Sequence, residues 1–307
     1  MPQIFIIGAT GYVGGHLARH LAGAGHRVSG LARSGEAAAR LAADGLQAVE
    51  ADLDSRFDDV VAAALKADVT IYAAQVQFER EPAVLRALCA ALAGHDKTVI
   101  FLSGSGVFMQ RTGGGWSPDV FAEDDPFTPE PFAAARVEAE AIVRAAADSG
   151  VRSIVVRPPL IWGPGDDGPV AKVYRSVATT GAACYIGAGL AAYSNVHSSD
   201  LARLFELVIA RGRPGALYHA VGGEIPYRWI AEAVARDLGV EARKLSMTEA
   251  QEVFGPFGAL LLSACSRQRD PGTRAELGWE PQQHDMLDQI GEPRLRALAV
   301  PREEEVA

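Results

Sequence analysis

The stretch Gln3-Ile-Phe-Ile-Ile-Gly-Ala-Thr-Gly-Tyr-Val-Gly-Gly-His-Leu17 predicts how the N-terminal part of the chain folds. Residues 4–7 form an unbroken β-branched and aromatic run, which is typical of a strand buried on both faces. A glycine turn follows, and Val13, Leu17 and Leu21 then recur at helical spacing. A strand, a turn and a helix N-terminus in this order form an anion site, because free backbone N–H groups and the positive end of the helix dipole face the space above the turn.

The turn carries three glycines at a Gly-x-x-Gly-x-x-Gly spacing. Gly8 would permit the tight turn, Gly11 would let the backbone approach a phosphate, and Gly14 would let helix and strand pack closely. A glycine triplet alone is weak evidence, but a strand before it and a helix after it are the context that the motif requires. The stretch therefore predicts a dinucleotide-binding turn.

Charge and composition exclude several classes of partner. The chain has 307 residues and a net charge of −9, which disfavours nucleic acid and anionic membranes as general partners. No uninterrupted apolar run approaches the roughly 20 residues of a membrane span. The three cysteines, Cys89, Cys184 and Cys265, are widely spaced. They indicate reduced thiols in a cytoplasmic protein rather than disulfides or a metal site.

Predicted strands and helices alternate through the first half of the chain. After the first strand, we predict strands at 26–31, 46–50, 69–73, 98–102 and 153–156, and helices at 36–43, 56–65, 82–92 and 133–147. This alternation predicts right-handed βαβ units and a parallel sheet, which is a doubly wound α/β fold. From residue 160 the alternation fails. We therefore predict a Rossmann domain over 1–159 and 196–220, a smaller substrate-binding portion over 160–195 and 221–285, and a C-terminal tail over 286–307 that is disordered from Pro301.

Four motifs resemble those of the extended branch of the short-chain dehydrogenase/reductase superfamily, the NAD-dependent epimerase/dehydratase-like proteins. In chain order they are Gly8-Ala-Thr-Gly-Tyr-Val-Gly14, Arg157-Pro-Pro-Leu-Ile-Trp-Gly-Pro-Gly165, Asn195-Val-His-Ser-Ser-Asp-Leu-Ala202 and Glu276-Leu-Gly-Trp-Glu-Pro281. Because the motifs occur in the family's order and span most of the chain, together they are far more specific than any one alone. The resemblance implies a nicotinamide dinucleotide and a small-molecule substrate.

Arg33 decides the expected cofactor. It follows the second strand, where this fold meets the adenosine ribose, and an arginine there attracts a 2′-phosphate. NADP(H) is therefore favoured over NAD(H), and the alternative is that Arg33 is a solvated surface charge. Asp52 matches the family position that meets the adenine amino group, and it could also cap the next helix. The predicted cofactor-binding residues are Gly8, Thr10, Gly11, Tyr12, Val13, Gly14, Arg33, Ser34, Asp52, Leu53, Ala73, Ala74, Gln75, Arg136 and Pro158.

The catalytic stretch departs from the family. The resemblance implies a Tyr-x-x-x-Lys pair on one helix, but Phe132 stands at the tyrosine position and Arg136 at the lysine position. Phenylalanine has no exchangeable proton and arginine stays protonated, so neither can act as the acid, although Arg136 could still bind the nicotinamide ribose. Gly104 stands at the usual hydroxyl position. Ser105 is then the nearest candidate donor to a carbonyl, unless it is simply a turn serine.

Three functions remain open. The first is an NADP(H)-dependent oxidoreductase of a small carbonyl or hydroxyl compound that works without the tyrosine. The second is a non-catalytic NADP(H)-binding sensor or regulator, and the third is a non-redox isomerase, cyclase or lyase. The retained substrate-portion motifs favour an enzyme. Tyr185, Tyr193 and His197 lie in segments that line the substrate in the family, and for His197 we favour a structural role. The alanine-rich stretch at 133–147 would permit the homodimer that the resemblance implies.

Overall fold

A seven-stranded parallel sheet forms the centre of the computed structural model, which describes residues 1–77 and 79–301. Strands and helices are numbered here in chain order. In spatial order the sheet consists of β10 (Leu217–His219), β6 (Arg152–Arg157), β5 (Thr98–Leu102), β4 (Val69–Tyr72), β1 (Gln3–Ile7), β2 (Arg27–Ala32) and β3 (Gln47–Glu50). Every neighbouring pair is parallel. The strands predicted in the first half are all present, and the doubly wound α/β fold is confirmed.

Helices cover both faces of this sheet. One face packs against α1 (Tyr12–Gly23), α2 (Gly35–Ala43) and α7 (Ser198–Arg211), and the other against α3 (Phe57–Lys66), α4 (Glu81–Leu92) and α5 (Ala134–Ala145). The strands are buried on both sides, which explains why β1 and β4 consist of apolar and aromatic residues with almost no alternation. In the second half, 196–220 packs with this fold, because α7 packs on α1 and β10 joins the sheet.

A second apolar core lies beyond the central sheet. It contains a three-stranded sheet of β11 (Gly223–Pro226), β9 (Ala192–His197) and β7 (Leu160–Trp162), and a parallel pair of β12 (Ala242–Leu245) and β8 (Ala183–Ile186). Its helices are α6 (Pro169–Thr180), α8 (Tyr227–Leu238), α9 (Met247–Ser263), α10 (Pro271–Leu277) and α11 (Pro293–Arg296). Short 3-10 helices occur at Ser105–Phe108, Pro131–Ala133, Ala146–Ser149, Met286–Gln289 and Ala297–Ala299.

The predicted division of the chain stays a prediction, but the packing differs from it at two places. The predicted substrate-binding portion includes Leu277 and Trp279, yet both are buried in the core beside the central sheet. Met286 and Leu295 of the predicted tail are buried in the second core. Residues 286–299 therefore form packed helical turns, because their apolar side chains complete that core. The rest of the predicted disordered tail, 302–307, lies outside the described residues.

Two smaller features agree with the composition. The three cysteines are buried and none forms a disulfide, and burial raises the pKa of the Cys89 thiol to about 11. None of the helices in the described part of the chain is long and apolar enough to cross a membrane.

Helices α4 and α5 pack against each other on one face of the sheet. Whether they also pair across a dimer stays a prediction.

A buried ion pair joins α5 to the central sheet. The Arg157 guanidinium donates to both oxygens of Glu140, with Nε–Oε1 and Nη2–Oε2 distances of 3.0 and 2.5 Å. Ser103 Oγ donates to Glu140 Oε1 at 2.5 Å, and the guanidinium lies over the rings of Phe108 and Phe127. Both charged side chains are 4% exposed. Removing one partner of such a pair leaves an uncompensated buried charge, which makes the pair essential even where it adds little net stability.

We predict that Glu140→Gln lowers the free energy of unfolding by about 3–5 kcal/mol, because Arg157 would remain buried without a counter-charge. Urea denaturation would measure this loss. The matched control is Glu138→Gln on the same helix, where the carboxylate is exposed and pairs with Arg86. An exposed pair contributes about 0–1 kcal/mol, so the control should barely change the midpoint. Equal losses in the two variants would contradict the structural role of the Glu140–Arg157 pair.

Candidate functional site

One large cavity runs along the carboxyl ends of the central strands. Its volume is about 910 Å³, and it extends from the glycine turn after β1 to the second apolar core. It crosses the gap between β1 and β4, where the strand order reverses direction and ligands of doubly wound sheets bind. Ile7, Leu31 and Leu102 line it from three different strand ends. The cavity therefore collects the turns that follow the strands into one site.

The three glycines of the turn meet different constraints. Gly8 has a φ of +101°, and a Cβ there would lie 2.6 Å from the carbonyl carbon of Ala73. A Cβ at Gly14 would lie 2.2 Å from the Gly8 carbonyl oxygen. The fold itself thus requires glycine at both positions. Gly11 is different, because its φ is −83° and a Cβ there would meet only the Gly8 oxygen, at 3.4 Å.

Gly11 lines the cavity at the N-terminus of α1. Since the protein does not need glycine there for its own packing, close approach of a ligand is the remaining reason for it. Gly11 is the N-cap of α1, and no side chain caps this end of the helix. The first-turn N–H groups and the positive dipole end are therefore available to an anion in the cavity. The turn fits a pyrophosphate.

Arg33 supplies a second positive group at the same end of the cavity. It is exposed at the end of β2 and lines the cavity, and among the described residues it forms no ion pair or hydrogen bond. Ser34 follows as the N-cap of α2, and its Oγ accepts a hydrogen bond from the Ala37 N–H at 3.2 Å. Ser34 itself is outside the lining of the cavity. An uncompensated guanidinium beside a helix N-terminus fits a phosphate group.

The Asp52 carboxylate binds its own loop, and its predicted contact with the adenine stays a prediction. Its carboxylate accepts hydrogen bonds from the Asp54 and Ser55 N–H groups and from Ser55 Oγ, at 2.7, 2.6 and 2.8 Å. These bonds lower the pKa of Asp52 to about 2. The N-cap of α3 is Arg56 rather than Asp52. Asp52 therefore holds the loop before α3, while its neighbours Leu53 and Asp54 line the cavity.

The predicted catalytic positions do come together. Ser105, Phe132 and Arg136 all line the cavity, as do the remaining predicted cofactor residues Thr10, Tyr12, Val13, Ala73, Ala74, Gln75 and Pro158. Phe132 lies in the 3-10 turn just before α5, and Arg136 lies in the first turn of that helix. Ser105 is buried, its N–H donates to the Pro158 carbonyl oxygen at 2.9 Å, and its carbonyl oxygen accepts from Ser266 Oγ at 2.8 Å. Because the Ser103 hydroxyl is bound to Glu140, Ser105 is the remaining hydroxyl of that turn.

Glu81 is the residue that the sequence did not reveal. It is fully buried at the start of α4, and its Oε1 accepts a hydrogen bond from Arg136 Nη2 at 3.1 Å. Its Oε2 has no hydrogen-bond partner among the described residues. Burial raises the pKa of Glu81 to about 7, the nearby Glu140 adds to the rise, and Arg136 opposes it. In sequence an acidic residue in the first turn of a helix is ordinary, so nothing marks Glu81 as the anchor of Arg136.

The far end of the cavity is apolar. It is lined by Met109, Phe132, Leu160, Ile161, Phe257 and Leu261, together with Tyr193. Phe257 is 65% exposed and follows a break in α9 at Gly255, whose φ is +72°. Lys172 also lines the cavity, but its charge is compensated by Asp167 at 3.3 Å. This end fits an uncharged, largely apolar group better than a phosphorylated one.

Two of the sequence motifs hold the structure together rather than line the cavity. His197 caps α7, accepting at Nδ1 from the Ser199 N–H, and it packs edge-on against Trp162. Burial lowers the pKa of His197, so the ring is neutral. Asp200 accepts hydrogen bonds from the Gln282 and Gln283 N–H groups at 2.9 and 2.8 Å. The structure thus supports a structural role for His197.

The charged side chains that line the cavity indicate which kind of ligand it could hold. Within residues 1–77 and 79–301, no group of three or more His, Cys, Asp or Glu side chains could hold a metal ion. The charged groups of the cavity wall are instead Arg33, Arg80, Arg136, Lys172, Asp54 and Asp167. Cations outnumber carboxylates in this set, so the cavity wall favours an anionic ligand.

We predict that Glu81 makes the wild-type protein lose stability as the pH rises from about 4.5 to about 7. The folded-state pKa is above the unfolded one, so in this window the folded protein holds a proton that the unfolded chain has released. Glu81→Gln removes this dependence. The Tm of the variant minus the Tm of the wild type should therefore increase as the pH rises through this window. The exposed Glu138→Gln variant should show no such change. A pH-independent difference for Glu81→Gln would contradict the raised pKa.

Comparison with known proteins confirms the resemblance. The sequence pattern of the NAD dependent epimerase/dehydratase family matches residues 4–221. An uncharacterized protein of Saccharomyces cerevisiae is 31% identical over 301 residues, which cover 94% of this chain and 97% of the relative. A 4-hydroxy-2-methyl-3-oxo-4-farnesyl-3,4-dihydroquinoline-1-oxide ketoreductase of Stigmatella aurantiaca is 26% identical over 234 residues, or 72% of this chain and 68% of that protein.

Solved structures share the fold. The dTDP-glucose 4,6-dehydratase of Streptomyces venezuelae, in a crystal structure with NAD bound, has a TM-score of 0.73 at 20% identity, covering 97% of this chain and 95% of that one. At this identity the likeness concerns the fold alone, and it includes the second core as well as the central sheet. The match of the family pattern over most of the chain is the stronger finding. The chain therefore belongs to the NAD dependent epimerase/dehydratase family.

Proposed function

We propose that this protein is an NADP(H)-dependent oxidoreductase that acts on a small carbonyl or hydroxyl compound through a site without the usual tyrosine. One observation carries the proposal. A single cavity joins the glycine turn and Arg33 at one end to Ser105, Phe132 and an apolar wall at the other. A protein that only bound a dinucleotide would need the first end alone. The names of the relatives agree with the reaction class, since one is a ketoreductase and a structural neighbour holds NAD.

The residues at the nucleotide end fit a phosphorylated dinucleotide. The N–H groups above Gly11 would bind the pyrophosphate, and Arg33 would bind a 2′-phosphate, because its charge is otherwise uncompensated among the described residues. Ala73, Ala74 and Gln75 would line the central region from the end of β4. A nicotinamide dinucleotide bound there supplies or accepts a hydride. The protein's part is to bind it, orient it and exclude water.

Arg136 and Phe132 would take over the positions of the family's lysine and tyrosine in different roles. The Arg136 side chain is only 13% exposed, and Glu81 anchors it while it lines the cavity. A fixed guanidinium can donate hydrogen bonds to ribose hydroxyls, but it stays protonated and cannot relay a proton. Phe132 contributes an apolar surface. The acid must then be another group or water, and Ser105 is one hydroxyl at the site.

We predict that NADPH binds more tightly than NADH and that Arg33→Ala removes most of this preference. A charge-assisted hydrogen bond contributes about 1.5–3 kcal/mol, or roughly ten- to a hundredfold in affinity. Calorimetric titration of both nucleotides measures the ratio. The matched control is Arg80→Ala, because Arg80 also lines the cavity but is compensated by Asp54. Equal affinities in the wild type, or loss of the preference only in Arg80→Ala, would rule out this role for Arg33.

We predict hydride transfer by the wild-type protein, measured as NADPH oxidation with a panel of aldehydes, ketones and quinones. Gly11→Val is the negative control. The protein has room for a Cβ at this position, but the side chain would occupy the space that a pyrophosphate needs. This variant should keep the wild-type Tm and lose both NADPH binding and turnover. Phe132→Tyr combined with Arg136→Lys would reinstate the family's acid and should raise the rate. NADPH binding with turnover only in that double variant would indicate a sensor or a non-redox catalyst instead.

A further inference from the structure

Tyr193 occupies an unusual position in the apolar end of the cavity. It lies on β9, is 3% exposed and lines the cavity, yet its hydroxyl has no hydrogen-bond partner among the described residues. Its backbone forms a bridge with Ser266, and Ser266 Oγ donates to the carbonyl oxygen of Ser105. Tyr193 is therefore tied to the turn that carries the predicted catalytic serine.

An unsatisfied hydroxyl at this place is costly. A buried donor that lacks an acceptor destabilises the folded protein, and such groups are rare enough in native structures to need an explanation. Burial raises the pKa of Tyr193, the Ser266 hydroxyl, which lies close by but already donates to Ser105, opposes the rise, and the Cys265 thiol adds to it. The phenol therefore stays protonated throughout the physiological pH range and acts as a hydrogen-bond donor. A ligand that brings an acceptor to this point would remove the cost.

The surroundings of Tyr193 restrict the acceptor to an uncharged group. Met109 is buried in the same apolar core, and Phe132 and Leu261 pack against that core and line the cavity. A carboxylate or phosphate would lose its hydration among these apolar side chains, and the charge of Lys172 is already compensated by Asp167. A carbonyl oxygen on an apolar skeleton accepts one hydrogen bond and buries the rest of its surface against these side chains. Its chemistry matches the site.

Tyr227 is a second buried tyrosine with a hydroxyl unpartnered among the described residues, so that feature points to a ligand only where the residue also lines the cavity. Its ring centroid lies 6.4 Å from that of Tyr193, its side chain is also buried, and its hydroxyl also lacks a partner. Only Tyr193 lines the cavity. The two residues thus differ in access to a ligand and not in chemistry, which makes Tyr227 a matched internal control.

We propose that Tyr193 donates a hydrogen bond to the carbonyl oxygen of an apolar ketone bound beside Ser105 and Phe132. The proposal deepens the proposed function and rests on it for the nature of the ligand. The residue would take over the hydrogen bond that a tyrosine at position 132 would make. It would also stabilise negative charge that develops on that oxygen, because a donor held in an apolar site needs no reorganisation.

The test compares two probes of one shape, 1-tetralone and its oxygen-free counterpart tetralin, by NMR titration without cofactor. In Tyr193→Phe the tetralone-to-tetralin affinity ratio should fall roughly three- to tenfold, the worth of one neutral hydrogen bond. In Tyr227→Phe the ratio should stay at the wild-type value. Using the ratio cancels the contribution of apolar burial, which the two probes share.

Other outcomes would overturn the proposal. Failure of both probes to bind the wild type would exclude an apolar ketone as the ligand class, and an unchanged ratio in Tyr193→Phe would exclude the hydrogen bond. The Tm of Tyr193→Phe without ligand should equal or exceed that of the wild type, because the lost hydroxyl had no partner. A Tm lowered by several degrees, with Tyr227→Phe unchanged, would show that the hydroxyl is structural.

The failure of this proposal can be told apart from that of the proposed function. A protein that binds tetralone through Tyr193 but never oxidises NADPH with any carbonyl compound would refute the oxidoreductase and retain the donor. A protein that reduces ketones as fast in Tyr193→Phe as in the wild type would retain the oxidoreductase and refute the donor.

Discussion

The arrangement of the site depends on the buried pairing of Arg157 with Glu140. Glu140 lies one helical turn beyond Arg136 on α5, and its carboxylate also binds Ser103, two residues before Ser105. Arg157 ends β6, and its Nη1 contacts His219 Nε2 of β10 at 3.2 Å. Burial and Arg157 lower the pKa of His219 to about 3, so this ring is neutral and accepts the hydrogen bond. The carboxyl ends of three neighbouring strands and the helix with the predicted catalytic positions are thereby fixed by charges that the protein itself supplies.

A second pair beside the first gives the arginine at position 136 a buried partner. Glu81 on α4 and Glu140 on α5 are both buried, and each pairs with one arginine. Two carboxylates this deep need nearby cations, and burial together with the neighbouring Glu140 raises the pKa of Glu81. The guanidinium is a planar group with five donors, and Arg136 both donates to Glu81 and lines the cavity. A lysine ammonium is a compact charge, which would be drawn either to Glu81 or to a ligand in the cavity. A lysine here could assist proton transfer, whereas an arginine can position a ligand but cannot relay a proton.

The sequence allowed the first half of the fold and the glycine turn of the candidate site to be predicted, because their signals are local. Strands buried on both faces are continuous apolar runs, and Gly14 is required by a close backbone contact within the turn itself, whereas Gly8 is required by the backbone of Ala73 after β4. The second half has no such signals. Strand β8 pairs with β12 about 60 residues later in the chain, and β9 lies between β7 and β11. The sequence position of Asp52 cannot show that backbone N–H groups of its own loop bind its carboxylate. The raised pKa of Glu81 and the unpartnered hydroxyl of Tyr193 both result from burial, which depends on segments distant in sequence.

The apolar end of the cavity and its buried hydroxyl favour an enzyme over a nucleotide sensor. A nucleotide sensor uses the glycine turn and Arg33, and it gains nothing from an apolar chamber beyond Phe132. That chamber nevertheless contains Tyr193, a buried hydroxyl without a partner among the described residues, whose replacement by phenylalanine would cost the fold nothing. Sequences that keep a locally unfavourable group generally do so where function requires it. Phe132 stands at the position where the family resemblance implies a tyrosine acid. Tyr193 lines the same cavity and burial keeps its phenol protonated, so an apolar carbonyl compound would find one donor there and few competing charges.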